Sequence, residues 1–204
     1  MKKIDEINIK KSINNKLDNL QKKHQDVSIE NLPLYNIFFI GFMGVGKTTV
    51  SSYLSNLLSR KKIDIDQCIA KREKMKIPEI FKKYGEEYFR NCETEVLKDL
   101  NSEDGVIISC GGGIVLKEEN ISLMKERGKI ILLTSTPQTI FERVRYSDER
   151  PILNNNMNVN FISELMKKRE ENYLHAADLI IDTDKKSIEE VCEEIISSLN
   201  KMDI

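Results

Sequence analysis

The sequence lacks the features that would direct it to a nucleic acid or to a membrane. Its 32 basic residues are balanced by 33 acidic residues, which leaves a net charge of −1, whereas proteins that bind nucleic acid or anionic membranes usually carry a clear basic excess. No apolar run approaches the roughly 18 residues of a membrane span, and residues 1–6 contain acidic side chains but no apolar signal region. We therefore expect a cytoplasmic protein that binds neither nucleic acid nor a membrane.

Cysteine, histidine and arginine are also scarce. Four scattered cysteines and two histidines, with no C-x-x-C pair, do not make a zinc-binding pattern, and they are typical of reduced thiols in a cytoplasm. Of the 32 basic residues, 24 are Lys and only 8 are Arg. Because lysine is the default basic residue of this chain, the few arginines are the informative ones.

Length and composition indicate one folded domain behind an N-terminal extension. A chain of 204 residues with 40% hydrophobic and 32% charged residues is typical of a single globular core. Residues 1–34 are rich in Lys and Asn, contain no Gly, and have Ile and Leu at loosely helical spacing. We expect them to form an extension that is partly helical or disordered, and residues 35–204 to form the domain.

Short apolar runs alternate with amphipathic stretches from residue 36 onward. Five runs predict strands, at residues 37–40, 62–65, 106–108, 129–133 and 179–181. Two stretches have apolar residues on one helical face: Val50, Leu54, Leu57 and Leu58, and later Ile188, Val191, Ile195 and Leu199. Strands without internal alternation, separated by helices, predict an α/β fold with a parallel sheet covered on both faces. Ligands of such sheets collect where the strands end.

A glycine-rich segment carries the strongest functional signal. Gly41–Thr48 has the pattern G-x-x-x-x-G-K-[ST] between an apolar strand and an amphipathic helix, which is the context that a phosphate-binding P-loop requires. In such a loop, backbone N–H groups and the helix N-terminus face phosphate oxygens. Lys47 would supply a cation to the transferring phosphoryl group, and the Thr48 hydroxyl would ligate Mg²⁺.

Asp64 and Asp66 come at the end of the second predicted strand, 17 and 19 residues after Lys47. With the two-residue period of a strand, we expect both carboxylates to leave it on the same side. Two acids at this spacing usually belong to a solvated loop. Beside a P-loop, however, one would hold the metal or its water, and the other would accept a proton from a substrate hydroxyl.

Three further features are ambiguous when each is taken alone. Gly111–Gly113 makes either a tight turn or a close approach to a ligand. Arg90 and Arg169 lie in helical stretches, where an arginine is most often solvated and salt-bridged. Arg143 and Arg150 flank a polar stretch that suits either a lid over a polyphosphate or a flexible surface loop.

Taken in order, these segments resemble the shikimate kinase family over roughly residues 35–200. The segments that carry the resemblance are Gly41–Thr48, Ile63–Asp66, Ile80-Phe81, Gly85–Arg90, Gly111–Gly113, Arg143, Glu149–Leu153, and Arg169 four residues before Tyr173. Each segment is weak evidence alone, but six or more in the same order, without large insertions, are specific. Two departures are Lys61-Lys62, which predict a short or exposed second strand, and Glu171, where many relatives have Pro.

The resemblance implies a role for each site residue at the substrate end. Gly112, Arg90 and Arg169 would bind shikimate, with the arginines on its carboxylate because their planar fork matches that group. Asp66 would hold the ring hydroxyls and act as the proton acceptor.

The resemblance also implies the nucleotide and metal residues. Asp64 would reach Mg²⁺ through water. Arg143 would lie along the nucleotide near the adenine, and Arg150, in the lid, would stabilise charge on the phosphates. The expected nucleotide-binding set is Gly44, Val45, Gly46, Lys47, Thr48, Thr49, Arg143 and Arg150. Lys47, Asp66 and Arg150 are the expected catalytic residues.

The implied architecture is a three-layer P-loop kinase fold. Its five-stranded parallel sheet would have the order 2-3-1-4-5, a substrate-binding helical segment near residues 66–95, and a lid near residues 145–160. The implied reaction transfers the γ-phosphoryl group of ATP to the 3-hydroxyl of shikimate, a step of chorismate and aromatic amino acid biosynthesis. We expect a monomer that needs Mg²⁺.

Two other functions fit part of the pattern. A related small-molecule kinase, such as a gluconate kinase, would share the P-loop and the lid but not the pair Arg90 and Arg169. A catalytically silent P-loop protein would bind nucleotide as a regulator without turning it over. An assay with several hydroxy-acid acceptors separates these possibilities.

Overall fold

The fold is a parallel sheet between two layers of helices. The computed structural model describes residues 32–100, 104–145 and 158–202. Residues 1–31 of the expected extension 1–34 therefore lie outside the described residues. The strands are β1 (Asn36–Ile40), β2 (Lys62–Asp64), β3 (Ile107–Ser109), β4 (Gly128–Thr134) and β5 (Leu179–Asp182). The helices are α1 (Lys47–Leu57), α2 (Ile65–Glu73), α3 (Ile77–Asp99), α4 (Glu118–Arg127), α5 (Pro137–Val144), α6 (Val159–Ala176) and α7 (Ile188–Met202), with a 3₁₀ turn at Ile114–Leu116.

The strand order confirms the expected topology. The described strands form one sheet in the order β2-β3-β1-β4-β5, and all four pairings are parallel. In the central strand β1, Ile37 pairs with Ile107 on one side and Lys129 on the other. β2 lies at an edge of the sheet and has only three residues, which agrees with the short second strand that Lys61 and Lys62 predict.

The continuous apolar run of β1 is explained by burial on both faces. Ile37 and Phe39 belong to one core cluster, and Phe38 and Ile40 belong to another. Successive side chains of a strand point to opposite faces, so a strand covered on both sides needs apolar residues throughout. All five residues of β1 are buried, and the P-loop begins directly after this strand.

The first core cluster lies beneath α1, α5, α6 and α7, and the second beneath α2, α3 and α4. The apolar face predicted for α1 is buried at Val50, Leu54 and Leu57. Upstream of β1, Leu32 already belongs to the first cluster, and Arg60 donates to its carbonyl at 3.0 Å. Within the described residues, no helix is long and apolar enough to cross a membrane.

The expectation that Asp64 and Asp66 leave one strand on the same side is wrong. β2 ends at Asp64, whose side chain accepts a hydrogen bond from the Gln67 backbone at 3.2 Å and so begins α2 as its N-cap. Asp66 therefore lies in the first helical turn. A carboxylate that caps a helix ends the strand, because its own residue is extended while the next residue is helical.

The carboxyl ends of the strands gather the functional segments at one edge. β1 leads into the P-loop, β2 ends at Asp64, β3 leads towards Gly111–Gly113, and β5 leads into Thr183. Since all strands are parallel, these segments lie beside each other, and the crevice outside them is the expected ligand site of such a sheet.

Candidate active site

A cleft of about 840 Å³ lies at this edge of the sheet. It brings together most of the residues that the sequence predicts for the site: Gly44, Val45, Gly46, Lys47, Thr48, Thr49, Asp64, Asp66, Arg90, Gly112, Arg143 and Arg169. Arg150 and residues 146–157 of the expected lid lie outside the described residues.

The P-loop curls around the start of α1. Gly46 is the N-cap of this helix with φ 103°, a left-handed conformation that a side chain would strain. No acidic residue lies in the first turn of α1, so no carboxylate of that turn offsets the positive end of the helix dipole. The Lys47 ammonium donates to the carbonyls of Gly41 at 2.8 Å and Phe42 at 3.0 Å, which holds it over the loop.

Asp66 is mostly buried and faces the same cleft. Burial raises the pKa of the Asp66 carboxyl above its usual value, and the nearby charge of Asp64 raises it further, while Lys47 and Arg90 oppose the shift. Its Oδ1 has no hydrogen-bond donor among the described residues. A carboxylate with a raised pKa and an open acceptor oxygen is suited to accept a proton from a ligand hydroxyl.

Arg90 is held by two carboxylates. On α3, Glu86 lies one turn before Arg90 and accepts from its Nε at 3.2 Å and its Nη2 at 2.8 Å, whereas Glu93 accepts from its Nη1 at 2.8 Å. Only 8% of Arg90 is exposed. The guanidinium also lies 5.4 Å from the ring of Phe89. These contacts orient the arginine fork towards the cleft.

Glu93 is the most deeply buried charged group of the site. Its exposure is 0%, and burial raises its pKa to about 7 although Arg90 lowers it. Its Oε1, like Asp66 Oδ1, has no donor among the described residues. A Cβ atom at Gly111 would lie 2.7 Å from Glu93 Oε1 and 2.8 Å from Asp66 Oδ1, so both acceptors converge beside Gly111. Buried acceptors of this kind suit a ligand that bears hydroxyls.

The Gly112 carbonyl is held by two donors from α6. Arg169 Nη1 donates to it at 3.1 Å, and the Tyr173 hydroxyl donates to the same oxygen. Burial raises the pKa of Tyr173 to about 12, so the hydroxyl remains a donor at neutral pH. Arg169 and Arg90 therefore both line the cleft.

Arg143, on α5, and Thr183, directly after β5, contact the P-loop. Arg143 Nη1 lies 3.4 Å from the Val45 carbonyl and 3.0 Å from Thr183 Oγ1, and its Nη2 donates to the Thr183 carbonyl at 3.0 Å. Thr183 Oγ1 lies 3.2 Å from the same Val45 oxygen.

Comparison with known proteins agrees with this geometry. A sequence profile described as "Shikimate kinase" matches residues 43–200. The chain belongs to the shikimate kinase family. A shikimate kinase of Dehalococcoides mccartyi is 40% identical over 166 residues, which are 81% of this chain and 94% of that protein.

Solved structures of the family share the fold. A shikimate kinase from Acinetobacter baumannii in complex with shikimate superposes with a TM-score of 0.80 at 31% identity, and covers 85% of this chain and 97% of its own. A gluconokinase from Sinorhizobium meliloti reaches a TM-score of 0.53 at 14% identity, over 82% of this chain and 93% of its own. That second likeness shows the fold alone.

Three contributors to the site were not predicted from the sequence: Glu93, the hydroxyl of Tyr173, and Thr183. The sequence does contain a signal for Glu93. It follows Arg90 by three residues on one helix, and opposite charges at this spacing can form an ion pair. Tyr173 follows Arg169 by four residues, so it shares that helical face. Thr183 contacts residues far away in the sequence, and no local pattern points to it.

Proposed function

We propose that the protein transfers the γ-phosphoryl group of ATP to the 3-hydroxyl of shikimate, giving shikimate 3-phosphate and ADP. The observation that supports this most strongly is that a P-loop, two acceptor carboxylates and two arginines line one cleft in a member of the shikimate kinase family. We further propose that it works as a monomer in the cytoplasm, with residues 66–95 as the substrate-binding segment and residues 145–160 as the lid.

Arg90 and Arg169 hold the carboxylate of shikimate in this proposal. Both line the cleft, and each carries a planar set of donors that matches a carboxylate. Gly112 also lines the cleft, and its carbonyl accepts a hydrogen bond from Arg169. Asp66 then faces the ring hydroxyls. A gluconate kinase would need neither arginine at these positions, which favours shikimate over gluconate as the acceptor.

The P-loop residues Gly44–Thr49 bind the phosphates of ATP, and Arg143 lies along the nucleotide. Lys47 leaves the Gly41 and Phe42 carbonyls to reach the transferring phosphoryl group. Arg150 adds positive charge when the lid closes, which excludes water that would otherwise hydrolyse ATP.

Thr48 and Asp64 fit a magnesium ion. Both offer hard oxygen atoms at the cleft, as Mg²⁺ prefers. The described residues contain no group of three His, Cys, Asp or Glu side chains that could hold a metal by themselves, which agrees with a metal bound largely by ATP phosphates and water. When bound there, Mg²⁺ neutralises charge on the phosphates.

Asp66 acts as the proton acceptor of the reaction. The 3-oxygen of shikimate forms a bond to the γ-phosphorus, the bond from that phosphorus to the β,γ-bridging oxygen breaks, and ADP leaves with the bonding electrons. The hydroxyl proton moves to Asp66 Oδ1 and from there to solvent. Most of the acceleration comes from positioning and from stabilisation of the charge that spreads over the phosphoryl oxygens, by Lys47 and Arg150.

An acceptor panel tests this function. ADP release is measured by a coupled assay with shikimate, gluconate and no acceptor, each with and without Mg²⁺. We expect turnover with shikimate only, and only when Mg²⁺ is present. Turnover of gluconate without turnover of shikimate would contradict the proposal, and ATP binding with no turnover on any acceptor would favour a regulatory protein.

A further inference from the structure

The carbonyl of Val45 in the P-loop lies within hydrogen-bond distance of two side chains from outside the loop. Thr183 Oγ1 lies 3.2 Å from this oxygen and Arg143 Nη1 lies 3.4 Å from it. Arg143 also bonds to Thr183 Oγ1 at 3.0 Å and to the Thr183 carbonyl at 3.0 Å, so the three residues form one connected network.

Thr183 is well placed to anchor this network. It is 4% exposed, and its backbone N–H donates to the Thr134 carbonyl at 2.9 Å, which extends the pairing of β5 with β4 by one residue. Its hydroxyl carries one proton and can accept as well. It accepts from Arg143 and lies within reach of two carbonyls, Val45 at 3.2 Å and Thr134 at 3.0 Å.

The direction of the Val45 carbonyl also determines the direction of the next N–H group. The peptide bonds of the described residues are trans, and in a planar trans peptide the C=O and the following N–H point in opposite directions. Holding the Val45 oxygen towards Thr183 therefore turns the Gly46 N–H away from Thr183. P-loops bind phosphate with N–H groups of this kind.

We propose that Thr183 is a positioning residue for the phosphates of the nucleotide. Its hydroxyl, together with Arg143, holds the Val45–Gly46 peptide in the orientation that directs the Gly46 N–H at a phosphate oxygen. Thr183 acts through the P-loop and does not need to touch the nucleotide. The inference rests on the proposed binding of ATP by the P-loop, but it does not depend on the identity of the acceptor.

The test compares Thr183→Val, which keeps the shape and removes the hydroxyl, with Thr183→Ser, which keeps the hydroxyl. A matched control is Thr134→Val, since the Thr134 hydroxyl contacts the Ile181 carbonyl of β5 rather than the P-loop. The dissociation constants of ATP and of inorganic tripolyphosphate are measured by calorimetry without an acceptor, and the KM of shikimate is measured separately.

We expect Thr183→Val to raise the dissociation constants of ATP and of tripolyphosphate by the same factor. That factor should be about three- to tenfold, the range for the loss of one hydrogen bond. The KM of shikimate stays unchanged, and Thr183→Ser and Thr134→Val bind both polyphosphates as the wild type does. Tripolyphosphate is the decisive probe, because it has no adenine that Arg143 could contact.

Unchanged tripolyphosphate binding by a folded Thr183→Val protein would overturn the proposal, and so would a Thr183→Ser protein that binds as weakly as Thr183→Val. If Thr183→Val does not fold, Thr183→Cys, whose thiol is only a weak donor, carries the same expectations. Polyphosphate binding in a wild-type protein that phosphorylates no acceptor would contradict the proposed function and leave this inference standing.

Discussion

Replacing Gly113 by alanine isolates the contribution of Arg90 to acceptor binding. The backbone of Gly113 has φ −113° and ψ 6°, so alanine introduces no backbone strain there. Its Cβ would lie 2.3 Å from Arg90 Cζ and Nη2 and 2.4 Å from Nη1. Ordinary contacts begin near 3.4 Å, and the guanidinium must therefore retreat by about 1.1 Å.

A shift of this size is enough to disrupt binding. The bond from Arg90 Nη1 to Glu93 is 2.8 Å long, and hydrogen bonds weaken steeply once distance and alignment leave the normal range. If Arg90 holds the carboxylate of shikimate, the variant loses charge-assisted hydrogen bonds worth about 1.5–3 kcal/mol, which corresponds to a rise of about ten- to a hundredfold in the KM of shikimate. The KM of ATP should not change.

The coupled ADP-release assay measures both KM values, and a double-mutant cycle tests the cause. In the background of Arg90→Ala, Gly113→Ala should raise the KM of shikimate little further, because the side chain with which the methyl group collides is gone. Thermal unfolding of each variant controls for general loss of stability. A wild-type KM for shikimate in Gly113→Ala, or an equal penalty in both backgrounds, would refute the reasoning.

Three further substitutions test other parts of the site. Asp66→Asn should lower kcat by about a hundredfold or more, the scale of general base catalysis, while calorimetry shows unchanged ATP binding; surviving turnover would mean that Asp66 is not the base. Arg169→Lys keeps the charge but loses the planar fork, so shikimate should bind roughly 2–3 kcal/mol more weakly, and an unchanged KM would contradict this role. Because burial raises the pKa of Glu93 to about 7, the folded state holds this proton more tightly than the unfolded state, and stability should fall as pH rises from about 4.5 through 7. Glu93→Gln should flatten that dependence in thermal unfolding between pH 5 and 8, and a slope identical to the wild type would exclude Glu93 as its source.

The P-loop and the strand order were predictable because their signals are local or carried by a family pattern. Gly41–Thr48 is contiguous, and the apolar run before it requires a strand buried on both faces. Lys61 and Lys62 indicated a short or exposed second strand, and β2 has only three residues.

Other parts of the site depend on contacts between distant residues. The two-residue strand period placed Asp66 wrongly, because its helical position depends on the capping of α2 by Asp64, which competes with continuation of the strand. The network of Val45, Arg143 and Thr183 joins three segments separated by up to 138 residues. Helical and strand periodicities in the sequence do not predict contacts between such distant residues.

The most direct test of the central claim is to identify the product. The protein is incubated with ATP, Mg²⁺ and shikimate, and the mixture is examined by ³¹P and ¹H NMR. We expect one new phosphate ester whose phosphorus couples to the proton on C3 of shikimate, formed in a one-to-one ratio with ADP. Inorganic phosphate as the only partner of ADP, or an ester at another hydroxyl, would contradict the account.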